Sequence, residues 1–90
     1  MTVEVRIPTI LRPYTQGEKT VTGAGDSLGA LLADLDSRHA GLRERLVEGD
    51  QLRRFVNVYL NDEDVRFLDG LATAVADGDA VTILPAVAGG

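Results

Sequence analysis

The sequence predicts an α+β fold in which one amphipathic helix packs against a mixed β-sheet. Three observations lead there. Short apolar/polar alternations occur near both ends and in the second half: Val3, Val5 and Ile7; Val56, Val58 and Leu60; Val81 and Ile83. Period two is the signature of a half-buried strand. Between them, Leu28, Leu31, Leu32 and Leu35 fall at i, i+3, i+4 and i+7, one stripe of a helix. Turn-forming clusters separate these segments, and 90 residues are enough for one small domain with a thin core.

In chain order, the first strand carries Val3, Val5 and Ile7 on one face and Thr2, Glu4 and Arg6 on the other. Pro8 and Pro13 break the ladder, and Tyr14-Thr15-Gln16-Gly17 reads as a turn. Lys19 to Thr22 forms a second short strand with Val21 inward, giving a hairpin with a long connection; Leu11 and Tyr14 are expected over one end of the core. Gly23-Ala24-Gly25 is a breaker, and Asp26 or Ser27 can cap the helix by accepting from its first amides. Gly41 suits a left-handed helix end. His39, in the last turn, is either a helix-end cation or a core-rim residue. Leu42 to Val47 reads as one more helical turn with Leu42 and Leu46 inward, and Glu48-Gly49-Asp50-Gln51 as a loop. Arg53-Arg54 reads as solvated loop charge, or else as a basic spot for a partner.

Phe55 to Leu60 is the clearest strand, with Phe55, Asn57 and Tyr59 opposite its apolar face. Asn61-Asp62-Glu63-Asp64 is a turn, because Asn and Asp bond their own backbone and accept left-handed φ. Its acidic residues lack the glycine and distal glutamate of a calcium loop. Val65-Arg66-Phe67 is expected as a short β segment, Leu71, Ala72 and Val75 as a covering turn, and Asp77-Gly78-Asp79 as a tight turn. Ala80 to Leu84 is the last strand, expected to end before Pro85, which has no backbone donor. The order β-β-α-β-(β)-β, with the last strand beside the first, is a β-grasp arrangement. Residues 1–84 form the domain, and 85–90 a tail. If Val56, Val58, Val81 and Ile83 face the helix, then Phe55, Tyr59 and Leu84 lie on the open face and are candidates for docking a partner.

Composition narrows the function. A net charge of −5 argues against a nucleic-acid surface and suits a partner with a basic docking face. The absence of cysteine excludes disulfides, Cys-ligated clusters and zinc ribbons, and a single histidine makes a structural zinc site poorly supported. No apolar run approaches 18 residues, and the first residues lack the regions of a signal peptide, so the expectation is a cytoplasmic protein that does not enter the membrane. No Ser/His/Asp set, poised carboxylate pair or phosphate-binding loop is present: Gly23-Ala24-Gly25 precedes a helix but lacks the full dinucleotide pattern, and Asp26 would repel phosphate. The chain is not expected to be an enzyme.

The last residues are unlike a helix or a docked strand. Pro85-Ala86-Val87-Ala88-Gly89-Gly90 is built of small residues apart from Pro85 and Val87, so it can enter a narrow channel in a partner. Six extended residues reach roughly 20 Å. The alternative is a frayed end.

Asp77-Gly78-Asp79-Ala80-Val81, followed by Ile83-Leu84-Pro85 and the tail to Gly90, resembles the ThiS/MoaD family of ubiquitin-like sulfur carriers. That family pairs an Asp-Gly-Asp-x-Val turn and strand with a proline-containing tail ending in Gly-Gly. Residues 7–13 and 55–67 are similar to the CysO-type branch of actinobacteria. The resemblance implies that an activating enzyme of the MoeB/ThiF/MoeZ type uses ATP to adenylate the Gly90 carboxylate. A sulfur donor then displaces AMP, leaving a thiocarboxylate. Gly89 and Gly90 are the sulfur-carrying end, and no cofactor or metal is stably bound. The sulfur passes to a biosynthetic enzyme, in CysO-type systems a pyridoxal-phosphate cysteine synthase. Carriers for molybdopterin, thiamine or thiosugar pathways, a non-catalytic adaptor and a lysine-linked modifier are the alternatives.

Overall fold

The computed structural model describes residues 2–54 and 56–85. β1 (Val3–Arg6) and β2 (Thr20–Gly23) form the first hairpin, paired antiparallel with Val5 opposite Val21. Val3, Val5, Ile7 and Val21 are buried, as the alternation requires. The long connection is a 3₁₀ helix, Thr9–Thr15, which contains Pro13 and closes through left-handed Gln16 (φ 54°) and Gly17 (φ 82°). It buries Leu11, and Tyr14 packs against the core.

α1 (Leu28–Arg38) starts at Ser27, whose Oγ accepts from Ala30 N–H at 3.2 Å. Asp26 instead uses its carbonyl to accept from Val75 N–H (3.0 Å), and Leu28 N–H donates to Thr73 O (2.9 Å), so the helix start is lashed to residues 73–75. Leu28, Leu31, Leu32 and Leu35 are at most 1% exposed. Burying each contributes about 1.5–3 kcal/mol. The helix ends at His39, two residues before Gly41. Gly41 is left-handed (φ 92°) as expected, but it begins α2 (Leu42–Leu46) rather than capping α1. Asp36 Oδ1 accepts from the amides of both Gly41 (3.1 Å) and Arg43 (3.2 Å), which fixes this corner. Leu42 and Leu46 are buried.

The expected loop at 48–51 is the turn of a small hairpin, β3 (Val47–Glu48) and β4 (Gln51–Leu52), with Gly49 at φ 63°. β5 (Val56–Leu60) and β6 (Glu63–Asp64) follow, joined by Asn61 (φ 49°) and Asp62 (φ 75°). Two positive φ values in a two-residue loop match the right-handed twist of the flanking strands. The expected β segment at Val65-Arg66-Phe67 is a 3₁₀ turn, capped by Asp64. A second 3₁₀ turn, Gly70–Ala72, brings Leu71 onto the core, with Val75 buried behind it and Ala72 left exposed.

β7 (Ala80–Pro85) completes a five-stranded sheet in the order β2-β1-β7-β5-β6. It runs parallel to β1 and antiparallel to β5, so the sheet is mixed, with the last strand beside the first. The strand includes Pro85, which lies opposite Val56. The ladder alternates, and Asn61 N–H bonds Ala80 O (2.9 Å), so Pro85 falls at a non-hydrogen-bonded position toward β5. Its nitrogen faces the β1 side, where pairing has already ended at Arg6 opposite Thr82. The missing donor therefore costs no bond.

Candidate functional site

The site is built around the two ends of β7. At its start, Asp77-Gly78-Asp79 is tied to its neighbours on every side. Asp77 Oδ1 accepts from Thr2 N–H (2.7 Å), and Gly78 N–H (φ 89° at this residue) donates to Thr2 O (3.0 Å). Asp79 Oδ2 accepts from Ala76 N–H (2.8 Å), and Asp79 O from Glu4 N–H (3.2 Å). Asn61 Nδ2 donates to Asp79 Oδ1 (3.0 Å), while Asn61 Oδ1 accepts from Ala80 N–H (2.9 Å). The motif that carries the family resemblance is thus a brace joining β1, β7 and the β5–β6 turn. Among the described residues, no group of three or more His, Cys, Asp or Glu is placed to hold a metal ion.

Gly23-Ala24-Gly25 also has a packing explanation. Ala24 N–H donates to Asp34 Oδ2 (2.9 Å), which is in turn bound by Arg38 Nη2 (2.9 Å). A Cβ on Gly25 would lie 2.6 Å from Leu31 N, and one on Gly23 would lie 2.8 Å from Leu31 Cδ1. These glycines let the β2 exit approach α1 closely; a carboxylate from that helix already occupies the Ala24 amide. His39 is a partly buried rim residue whose Nδ1 is buried without a hydrogen-bond partner.

On the open face of the sheet, pairing places Tyr59 beside Thr82 and Leu84 beside Asn57, so Tyr59 and Leu84 are diagonal neighbours. Both border a shallow depression with Arg6, Asp62 and Thr82. Leu84 is 45% exposed and Tyr59 half-buried. Phe55, the third expected docking residue, lies outside the described residues, as do Ala86, Val87, Ala88, Gly89 and Gly90. The backbone on either side of position 55 is held by Arg66: Nη2 donates to Arg53 O (2.6 Å) and Nη1 to Asn57 Oδ1 (2.9 Å). Arg53 is itself structural, with Nε donating to Glu44 O (2.8 Å).

Sequence reasoning missed three exposed apolar side chains, Ile10 (65%), Phe67 (86%) and Leu68 (38%). Strand parity reaches neither Ile10 nor Phe67. Ile10 lies past Pro8 in the 3₁₀ helix, and a strand would place Phe67 on the face of buried Val65, whereas a 3₁₀ turn of three residues per turn separates them.

No helix among the described residues is long and apolar enough to cross a membrane. The ThiS family model matches residues 5–90. The chain is 61% identical to the sulfur carrier protein CysO of Mycobacterium tuberculosis across the full length of both. The crystal structure of that protein superposes with a TM-score of 0.90 over 94% of this chain and 99% of the other. The CysO of a BexX/CysO complex from Amycolatopsis orientalis is 58% identical, with a TM-score of 0.93 over 98% of this chain and 99% of that one. The small archaeal modifier protein 3 of Haloferax volcanii is 39% identical over the full length of both. A five-stranded mixed sheet, a crossing helix and full-length likeness of this degree place the chain in the ThiS family of ubiquitin-like β-grasp proteins.

Proposed function

We propose that this protein is a sulfur carrier that works from the carboxylate of Gly90, and is not itself a catalyst. The observation that carries this is the family match, which runs through Gly89-Gly90, together with full-length likeness to proteins named as sulfur carriers. A carboxylate is a poor electrophile because its leaving group would be oxide. ATP, bound by an activating enzyme of the MoeB/ThiF/MoeZ type, converts it to an acyl-adenylate and releases pyrophosphate. Hydrosulfide attacks the acyl carbon, and AMP leaves with the bonding pair. The product is a thiocarboxylate, a nucleophile at neutral pH. Glycine at both final positions leaves the carbonyl open to attack, and a chain without cysteine cannot trap its own activated end as a thioester. The client is a pyridoxal-phosphate cysteine synthase in the cytoplasm, as the CysO likeness favours. Pro85 to Ala88 span the partner channel, and Phe55, Tyr59 and Leu84 dock the domain against the enzyme.

The test is intact-mass measurement after incubation with the activating enzyme, ATP and sulfide. One oxygen should be exchanged for one sulfur, and the exchange should disappear without ATP. An unchanged mass with an enzyme active on another carrier would remove the reading. A second reading is supported by the 39% likeness to a modifier protein: attachment of Gly90 to lysines. Isopeptide-linked forms of the chain in lysates would favour it.

A further inference from the structure

A groove of about 320 Å³ lies beside the end of β7. Ile10, Leu84 and Pro85 supply apolar walls, and Arg45 and Arg53 line it. Ile10 and Leu84 are among the few large apolar side chains left exposed among the described residues. Arg45 forms no ion pair among those residues; its guanidinium stands over the Tyr14 ring, 5.6 Å from the centroid. The nearest carboxylate to Arg53 is Glu48, at 4.0 Å with its side chain 76% exposed, a contact worth little in water. Two cations beside aliphatic walls are unusual on a chain with 14 acidic and 9 basic residues.

We propose that this groove receives a segment of the activating enzyme carrying an aliphatic side chain next to a carboxylate. The inference rests on the carrier reading above. The walls take the aliphatic group, and Arg45 and Arg53 take the carboxylate. Position argues for that enzyme. Any protein that draws in the chain beyond residue 85 must cover the surface around Pro85, and the groove is there. A second copy fits less well, because two chains of charge −5 would repel and would cover each other's strand end. Arginine is the side chain suited to holding a carboxylate in two-point contact, so Lys should replace it only partly.

The test is amide NMR of the labelled chain titrated with the activating enzyme, alongside ATP–pyrophosphate exchange kinetics. The amides of residues 9–11, Arg45 and Arg53 should shift or broaden. Arg45→Glu should raise KM for the carrier about tenfold with kcat unchanged, and Arg45→Lys should restore part of the loss. Arg45 is exposed, so unchanged circular dichroism should accompany its substitution, whereas Arg53 also donates from Nε to Glu44 O (2.8 Å), so its substitution is read beside a melting curve. An unaltered KM in Arg45→Glu and Arg53→Glu, or shifts confined to the Tyr59 and Thr82 face, overturns the proposal while leaving sulfur loading intact. Conversely, the same NMR pattern with a chain that is never loaded keeps the groove and removes the carrier chemistry. A concentration-dependent dimer lost in Arg45→Glu would give the groove to a second copy. A change in the groove amides of the free chain, with no enzyme present, on deleting Gly89 and Gly90 would give it to the chain's own end. Either result overturns the proposal.

Discussion

Asn61 illustrates how much a single polar side chain holds at the start of β7. It adopts φ 49°, bonds Asp79 through Nδ2 and receives Ala80 N–H on Oδ1. Asn61→Ala removes both bonds and leaves a residue that disfavours left-handed φ. The expected loss is about 1–3 kcal/mol, read as a lower urea midpoint with unchanged slope. Gly25→Ala acts through space instead. Its Cβ would meet Leu31 N at 2.6 Å, and backbone cannot swing aside as a side chain can. A loss of about 1–3 kcal/mol is expected, and a wild-type melting point would contradict the steric account.

At the scale of elements, α1 is stabilised mainly by its apolar stripe and secondarily by its cap. Leu35 is fully buried, so Leu35→Ala should cost about 2–5 kcal/mol, against about 1 kcal/mol for Ser27→Ala. The two should be separable in one denaturation series. Arg66 acts between elements, joining the 3₁₀ turn after β6 to the chain that leads into β5. Val56 N–H donates to the same Arg53 carbonyl that Arg66 Nη2 binds. In Arg66→Ala the Val56 amide should exchange about fivefold faster, the counterpart of roughly 1 kcal/mol. Global stability should change by less than that at Leu35. Short elements were the hardest to read from sequence. Val47–Glu48 and Gln51–Leu52 are too brief to show alternation, and Val65-Arg66-Phe67 has strand-like residues in a turn whose geometry Asp64 sets.

At the scale of the whole molecule, the proposed carrier role divides the chain into a scaffold and the end it carries. The buried residues of the described core run from Val3 to Ile83. Deleting Gly89 and Gly90 should therefore leave the melting curve within about 0.5 kcal/mol of wild type and abolish sulfur loading entirely. A large loss of stability on truncation would mean that the last residues pack on the domain. β7 links the two functions, since its start is braced by Asp77, Asp79 and Asn61 while its other end stops at Pro85, about six residues and roughly 20 Å away. A rigid strand between them gives the chain beyond it a defined starting point.

What the sequence determined by itself is the set of local preferences: the leucine stripe of the helix, the inward residues of four strands, the Asn61-Asp62 and Asp77-Gly78-Asp79 turns, and the pattern shared with the ThiS family. Each of these is a property of neighbours in the chain, so period and turn chemistry expose it. Tertiary structure decided the rest. It made Ser27 rather than Asp26 the cap, because the Asp26 carbonyl is drawn to Val75. It let the last strand include Pro85, because β1 has ended on the side where an amide would be needed. It turned Asp79 into a brace and set Arg45, Arg53 and Ile10 around one groove. Those outcomes depend on residues far apart in sequence, and hydrogen-bond partners of that kind are chosen only when the sheet closes.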